Sequence, residues 1–361
     1  FWEITPSIDA TIEPIVTTKE RSILALEYRQ HVDEGRYELS GSVTRADRET
    51  GDPTAPVIDD TVRGHLFGTG RFDIDDHWRW GFDGRWASDR TYLDRYDFFG
   101  EPPDTLESNL FAEGFYGRSY AAGNLFAYQD LRLTDPVEEP YVLPLLDYNY
   151  IGEADSLGGR WSLDANVRST VREDGPNTRR LSLKGGYLLP MIADFGLVTT
   201  VSASVQADGY HLDRVETDGT TENNVFERRV IPRLAIHWRY PFVRGGNGVR
   251  QVIEPVAAVI ATPNAGNPGN IPEEDSVVIE LDDTNLLSDD RIPGSDRADL
   301  GQRAVYGVKA GLYGERGGRL TAFLGQSYRR PDDTPLTATS DIEKGRSDLV
   351  GRVDLVPNRY F

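Results

Sequence analysis

Side chains able to do chemistry are plentiful in this chain, but their spacing builds no reaction centre. Five histidines, His31, His65, His77, His211 and His237, are scattered with no H-E-x-x-H or similar metal-ligand spacing. No G-x-S-x-G elbow or P-loop occurs, and the absence of Cys removes thiol nucleophiles, disulfides and cysteine-held zinc. Asp and Glu total 59, too many for one glycosidase-like couple to stand out. Their densest cluster is Glu273, Glu274, Asp275, Asp282, Asp283, Asp289, Asp290, Asp296 and Asp299, which lacks the D-x-D-x-D-G pattern and following Glu of a calcium loop. A solvated acidic loop, with nonspecific divalent binding as the minor alternative, is the plain reading of it. No catalytic residue, metal site or cofactor is expected, and the chain does not read as an enzyme.

The cationic residues narrow the partners. Only Lys19, Lys184, Lys309 and Lys344 break the dominance of Arg among 39 basic residues. Arg suits forked bonding to carboxylate or phosphate, and a GC-rich genome would give the same bias. A net charge of -20 argues against nucleic acid as a partner.

The elements that must position these groups have period two. From His77 to Ala87 the even positions are Trp78, Trp80, Phe82, Gly84 and Trp86, and the odd ones include Arg79, Asp83 and Arg85. Residues 160–168 and 197–207 repeat the alternation, and no long run has helical spacing. The longest apolar run, Val256–Ala261, is far too short for a membrane helix. The chain reads as all-β, with about sixteen strands near 7–18, 23–31, 36–46, 61–72, 77–87, 107–117, 119–130, 146–154, 159–171, 179–189, 195–210, 229–240, 249–262, 302–313, 320–329 and 348–356. Short links (32–35, 73–76, 118, 155–158, 190–194, 241–248, 314–319) alternate with mostly long ones (47–60, 88–106, 131–145, 211–228, 263–301, 330–347). Strands of this length, with short turns on one side and long loops on the other, predict an antiparallel transmembrane β-barrel of the outer membrane. In it the Trp78, Trp80, Phe82 and Trp86 face meets lipid, and Arg79, Asp83 and Arg85 line a wet lumen.

Prolines mark an irregularity. Pro6 and Pro14 lie in or beside the first strand, Pro140 and Pro144 flank another, and Pro232 and Pro255 interrupt runs that otherwise read as strands. Since proline cannot donate to the ladder, Pro6 and Pro14 mark either a weak seam or a strand that starts only after Pro14.

Several stretches resemble one family. The opening FWEITPSIDATIEP, Ser88-Asp89 followed by Tyr92-Leu93, IEPVAAVIATP at 253–263 and LGQSYR at 324–329 are similar to segments of the LptD family of outer-membrane lipopolysaccharide-assembly proteins. The most specific stretch is DSVVIELDDTNLLSDDRIPGSDRADLGQRAVYG at 275–307, with mild departures at Leu287, Asp290, Ile292 and Pro293.

The resemblance implies that residues 1–361 are the N-terminal and central part of a larger barrel. A periplasmic jelly roll and C-terminal strands would lie outside this chain. Phe1 in place of an initiating Met, and a poor closing strand ending in Phe361, also suggest a mature piece of something longer. The function implied is lipopolysaccharide transport into the outer leaflet through a laterally opening barrel. Pro6 and Pro14 would lie on the gate strand, an LptE-like lipoprotein would plug the lumen, and a periplasmic Lpt bridge would dock on the jelly roll. Asp275, Ser276, Arg291, Gly294, Asp296 and Arg297 would form a lumen-facing structural loop, with Asp296 held by an Arg (Arg291 being within reach) and Arg297 on a strand carboxylate. The rival reading is a general sixteen-stranded porin whose acidic loop constricts the pore. A third is a soluble carbohydrate-binding β-protein.

Overall fold

In the computed structural model the chain is described except for residues 18–20, 50–56, 97–102, 134–138, 218–219, 247, 265, 277–279, 316, 331–344 and 358–361. Phe361, and with it the proposed end of the closing strand, lies outside the described residues. The strands are β1 (Trp2–Thr5), β2 (Ile8–Ile15), β3 (Ile23–Val32), β4 (Gly35–Glu49), β5 (Val57–Asp73), β6 (Trp78–Ala87), β7 (Thr105–Tyr116), β8 (Ser119–Asp130), β9 (Tyr141–Ile151) and β10 (Arg160–Val171). They continue as β11 (Asn177–Ile192), β12 (Val198–Asp213), β13 (Val215–Thr217), β14 (Thr220–Glu222), β15 (Val225–Arg239), β16 (Phe242–Gly246), β17 (Val249–Ala261), β18 (Gln302–Gly314), β19 (Arg319–Arg329) and β20 (Val350–Val356). A five-residue helix, α1 (Tyr92–Tyr96), follows β6.

Eighteen strands form one sheet, and β13 pairs with β14 in a separate hairpin. Among the described residues no ladder joins β1 to β20. All sixteen expected strands are present, and the two further members of the sheet have a common origin in proline. Pro6 turns the chain so that β1 folds back on β2 (Trp2 opposite Ala10). At Pro241 the β15–β17 ladder breaks after Arg239–Val256 and resumes as β16–β17 at Phe242–Ile253. Proline supplies no ladder N–H, so one periodic run becomes two segments.

Strand β2 runs through Pro14, which lies opposite Leu24, so the strand does not wait until after Pro14 to begin. Pro144 lies inside β9 rather than at its flank, and the β8–β9 register shifts beside it, between Asn124 and Phe126. A bulge absorbs the missing donor there.

The chain divides into two compact units: Phe1–Asn149 with Ala165–Leu181 and His211–Val225, and Tyr150–Asp164 with Ser182–Tyr210 and Phe226–Phe361. Each shows the same two-faced strands. In the first unit Arg63, His65, Phe67, Thr69 and Arg71 of β5 point one way, while Val62 and Leu66 are exposed on the other. Residues directly opposite in a ladder share a face, so Arg79, Asp83 and Arg85 of β6 join that charged face, and Trp80 and Trp86 stay on the apolar one. In the second unit Ala258 and Ile260 are buried beneath the loop, and Ile253, Val259, Tyr306, Val308 and Leu324 are exposed opposite. An exposed apolar sheet face of this extent is stable in lipid, where water is absent.

Aromatic pairs gather at strand ends beside short turns: Tyr28–Tyr37, Phe72–Trp80 and Phe115–Tyr120 in the first unit, Trp161–Tyr187, Phe195–Tyr240 and Tyr240–Phe242 in the second. This is the placement of an interfacial girdle.

Candidate functional site: two loops docked on the charged face

In the first unit the segment after β6 folds onto β4 and β5. Its anchor is Arg63, whose side chain is fully enclosed. Arg63 Nε donates to Asp89 Oδ2 at 2.9 Å, Nη2 to Asp89 Oδ1 at 2.8 Å and to Thr91 Oγ1 at 2.7 Å, and Nη1 to the Asp47 carbonyl at 2.8 Å. The rings of Tyr92 and Tyr96 lie 5.7 and 5.9 Å from the guanidinium carbon. Burial would raise the Asp89 carboxyl, but hydrogen bonds and charge from Arg63, with help from Ser88 and Thr91, hold it below its ordinary range. Ser42 Oγ lies 2.7 Å from His65 Nδ1 and 2.6 Å from Tyr92 OH, so the helix is also tied to β4. Tyr92, Leu93, Leu106, Ala87 and Leu131 close an apolar cluster around it.

In the second unit the connection from β17 to β18 packs against β12, β15, β18 and β19. Leu286 is buried among Ala235, Ala258, Ile260, Val305 and Phe323. Asp289 takes His237 Nε2 at 2.6 Å and Ser202 Oγ at 2.7 Å, and Asp290 takes Arg233 Nη2 at 2.6 Å. Asp299 is fully buried between three arginines: Arg291 Nε at 2.6 Å, Arg303 Nη1 at 2.5 Å, and Arg329 Nη2. Burial alone would raise the Asp299 carboxyl, but Arg303, Arg291 and Arg329 outweigh it and hold it at about 2. Arg229 of β15 donates to Asp208 Oδ2 and to the Asp296 carbonyl, both at 2.6 Å, and to the Ser295 carbonyl. The acidic cluster is thus a docked loop whose carboxylates are used, and the solvated reading of it does not hold.

The residues expected from sequence fall as follows. Arg79 bonds Glu113 at 2.6 Å, Asp83 takes Arg71 at 2.7 Å, and the Arg85 guanidinium stands 6.0 Å from the Phe67 ring. Asp275 Oδ1 accepts the N–H groups of Ser295 (2.9 Å) and Asp296 (3.1 Å), and Ser276 Oγ accepts that of Arg297 (2.9 Å). Gly294 is required: its φ is +86°, and a Cβ there would sit 2.2 Å from the Asp275 carbonyl oxygen. Asp296 is buried, as expected, yet its carboxylate accepts the N–H groups of Glu274 and Asp275, while Arg291 goes to Asp299. Arg297 pairs with Glu273, a residue of the same loop rather than of a strand.

Arg63, Arg229, Arg303 and Arg329 were not singled out from sequence. Strand parity was the available signal, because each occupies a charged-face position of a strand whose alternation is plain.

Comparison with known proteins bears on both loops. The LPS-assembly protein LptD of Escherichia coli (strain K12) is 25% identical over 364 residues, covering 96% of this chain and 46% of that protein. The LptD proteins of Shigella flexneri serotype 5b (strain 8401) and Shigella boydii serotype 4 (strain Sb227) match to the same extent. The chain therefore spans about half the length of the curated relatives it matches. A family described as LptD, LPS transport system D, matches residues 61–361, a span that takes in both docked loops and the charged-face arginines that hold them. The chain belongs to the LptD family of outer-membrane β-barrel proteins.

Proposed function

We propose that this chain is barrel wall of a lipopolysaccharide transport and assembly protein integral to the outer membrane. The observation that carries the reading is the family match over residues 61–361. The sheet, apolar on one face and charged on the other, suits a wall between lipid and a polar passage. The molecule would move lipopolysaccharide without making or breaking a covalent bond. The family match does not favour the porin alternative.

The finer parts of the reading belong to the same proposal. Strand β2, with Pro14 in its ladder and Pro6 in the turn before it, would lie on the lateral gate. Arg79, Asp83 and Arg85 would face the passage. An LptE-like lipoprotein would plug it against the loop that holds Asp275, Ser276, Arg291, Gly294, Asp296 and Arg297. A periplasmic Lpt bridge would deliver the substrate.

Depletion of the gene product in its native cell tests the reading. Newly made lipopolysaccharide should fail to reach the cell surface while porin-mediated solute uptake continues. Normal surface lipopolysaccharide together with reduced solute uptake would return the chain to the porin class. Changing Pro6 and Pro14 together to Val tests the gate: export should slow at unchanged protein abundance, and unchanged export removes the prolines from the mechanism.

A further inference from the structure

The charged face of the first unit carries a cavity of about 360 Å³, within the range of about 300–1,000 Å³ usual for ligand sites. Its lining comes from β4, β5 and β6, from Leu106 of β7, and from Leu93 and Pro103 of the connection docked above them. Ladder register sets the polar groups in two rows: Ser40, Phe67 and Arg85 lie side by side across β4, β5 and β6, and Glu38 and Thr69 form the row beside them. Leu93 and Leu106 close the apolar side.

What distinguishes this set is that, among the described residues, none of its polar groups is hydrogen-bonded or ion-paired, although Glu38 lies opposite Arg29 in the β3–β4 ladder and adds to the negative charge around it. Neighbouring charges on the same face are tied in pairs, Asp9–Arg29, Arg71–Asp83 and Arg79–Glu113. The Glu38 carboxylate, the Ser40 and Thr69 hydroxyls and the Arg85 guanidinium, by contrast, make no hydrogen bond or ion pair within the protein among the described residues. Arg85 does stand 6.0 Å from the Phe67 ring, which leaves its N–H edges available.

The chemistry of the lining selects the ligand. An acyl chain would strip water from four hydrogen-bonding groups and replace none of their bonds. A free phosphate would meet one guanidinium with a carboxylate nearby. A sugar hydroxyl both donates and accepts. A sugar ring can therefore donate to Glu38, accept from Arg85 and do either with Ser40 and Thr69, while its C–H surface covers Phe67, Leu93 and Leu106.

We propose that this cavity is a saccharide subsite holding one sugar unit of the substrate's glycan. The proposal rests on the lipopolysaccharide reading and adds a place where the glycan pauses on the wall.

The test uses the full-length gene product in detergent. The probe is the deacylated, dephosphorylated saccharide of the cell's own lipopolysaccharide, followed by saturation-transfer NMR. Wild-type protein should bind it, and Thr69→Trp, which fills the cavity, should weaken binding at least tenfold. Glu38→Gln and Arg85→Gln, which preserve shape, should each weaken it several-fold, so the outcome does not depend on one variant folding. Inorganic phosphate should not displace the saccharide. Lack of binding, equal binding by all three variants, or displacement by phosphate would each overturn the subsite. If depletion blocks surface lipopolysaccharide yet the saccharide binds the variants and wild type alike, the subsite fails and the transport reading stands.

Discussion

The two docked loops solve the same problem with different charge arithmetic. Each lays a long connection on the charged face of the sheet, and each is pinned by a strand arginine that is almost wholly buried. At Arg63 the account is closed: one guanidinium meets one carboxylate, Nε, Nη1 and Nη2 all donate, and two tyrosine rings lie within 6 Å of the cation. At Asp299 it is open. Three guanidiniums converge on a single carboxylate, and among the described residues Arg291 Nη1 and Nη2, Arg303 Nε and Arg329 Nε find no hydrogen-bond partner. The difference teaches where each loop is vulnerable. The first anchor depends equally on both members of a pair, whereas the Asp299 anchor of the second loop rests on one carboxylate shared by three cations.

The largest effect should follow loss of that anion. Asp299→Ala leaves three buried guanidiniums facing one another, and removing one partner of a single buried pair already costs about 3–5 kcal/mol. Urea unfolding of the full-length protein in detergent should show a loss at the top of that range or beyond it, with residues 262–301 becoming open to protease. A loss under about 1 kcal/mol, the level of an exposed pair, would mean that the loop is not held through Asp299. Arg63→Met should come next. It strands Asp89 against β5 and removes the cation shared by Tyr92 and Tyr96, so about 3–5 kcal/mol is expected. Cleavage should now concentrate near 88–96 and spare 262–301. Cleavage in the second loop instead would show that the two anchors are not independent.

Acid should weaken both anchors, and the sign is fixed by the direction of the shifts. Asp299 is held at about 2, against an ordinary 3.8. Its contribution is therefore complete above the ordinary value and disappears as pH falls from there through about 2. Asp89 is depressed in the same direction. Below about pH 4 the urea midpoint of the wild type should fall steeply, and in Asp299→Ala the fall over that range should be shallower. Equal slopes in the two proteins would remove Asp299 from the acid response.

Much of this was legible in the sequence, for a physical reason. Side chains on a strand alternate by covalent geometry, so the sixteen strands and the placing of Arg79, Asp83 and Arg85 on the face opposite Trp80 and Trp86 follow from local pattern alone. The partners of the docked loop did not follow. From sequence, Arg291 and Asp296 bracket the Pro293-Gly294 turn and invite pairing. Gly294 takes a positive φ and presses against the Asp275 carbonyl, so the turn closes on a residue about twenty positions upstream. Arg291 is left for Asp299. That choice depends on a long-range contact, as does the recruitment of Arg303 and Arg329 from two neighbouring strands. The short strands β1 and β16 were missed for a simpler reason, since a proline lies at the boundary of each and broke the pattern by which strands are recognised.

The smaller effects sharpen the contrast most. Tyr92→Phe keeps the ring beside Arg63 and removes one hydrogen bond to Ser42, which still has His65, so a loss of about 0.5–1.5 kcal/mol is expected.

Arg291→Met should have the smallest effect, although Arg291 is as buried as Arg63 and also bonds an aspartate. Met keeps the aliphatic stem and its packing. The bond lost is the one from Nε, and Asp299 keeps Arg303 and Arg329. Two NH2 groups without partners among the described residues leave the interior together with a surplus charge that repelled both neighbours. The lost bond and the relieved burial oppose each other, as they do when buried ion pairs give way to apolar side chains. The expected change is within about 1 kcal/mol of zero, on either side, against a loss several times larger for Arg63→Met in the same urea titration. Equal losses in the two variants would show that every guanidinium around Asp299 is needed, and the contrast between a balanced and a surplus anchor would fall.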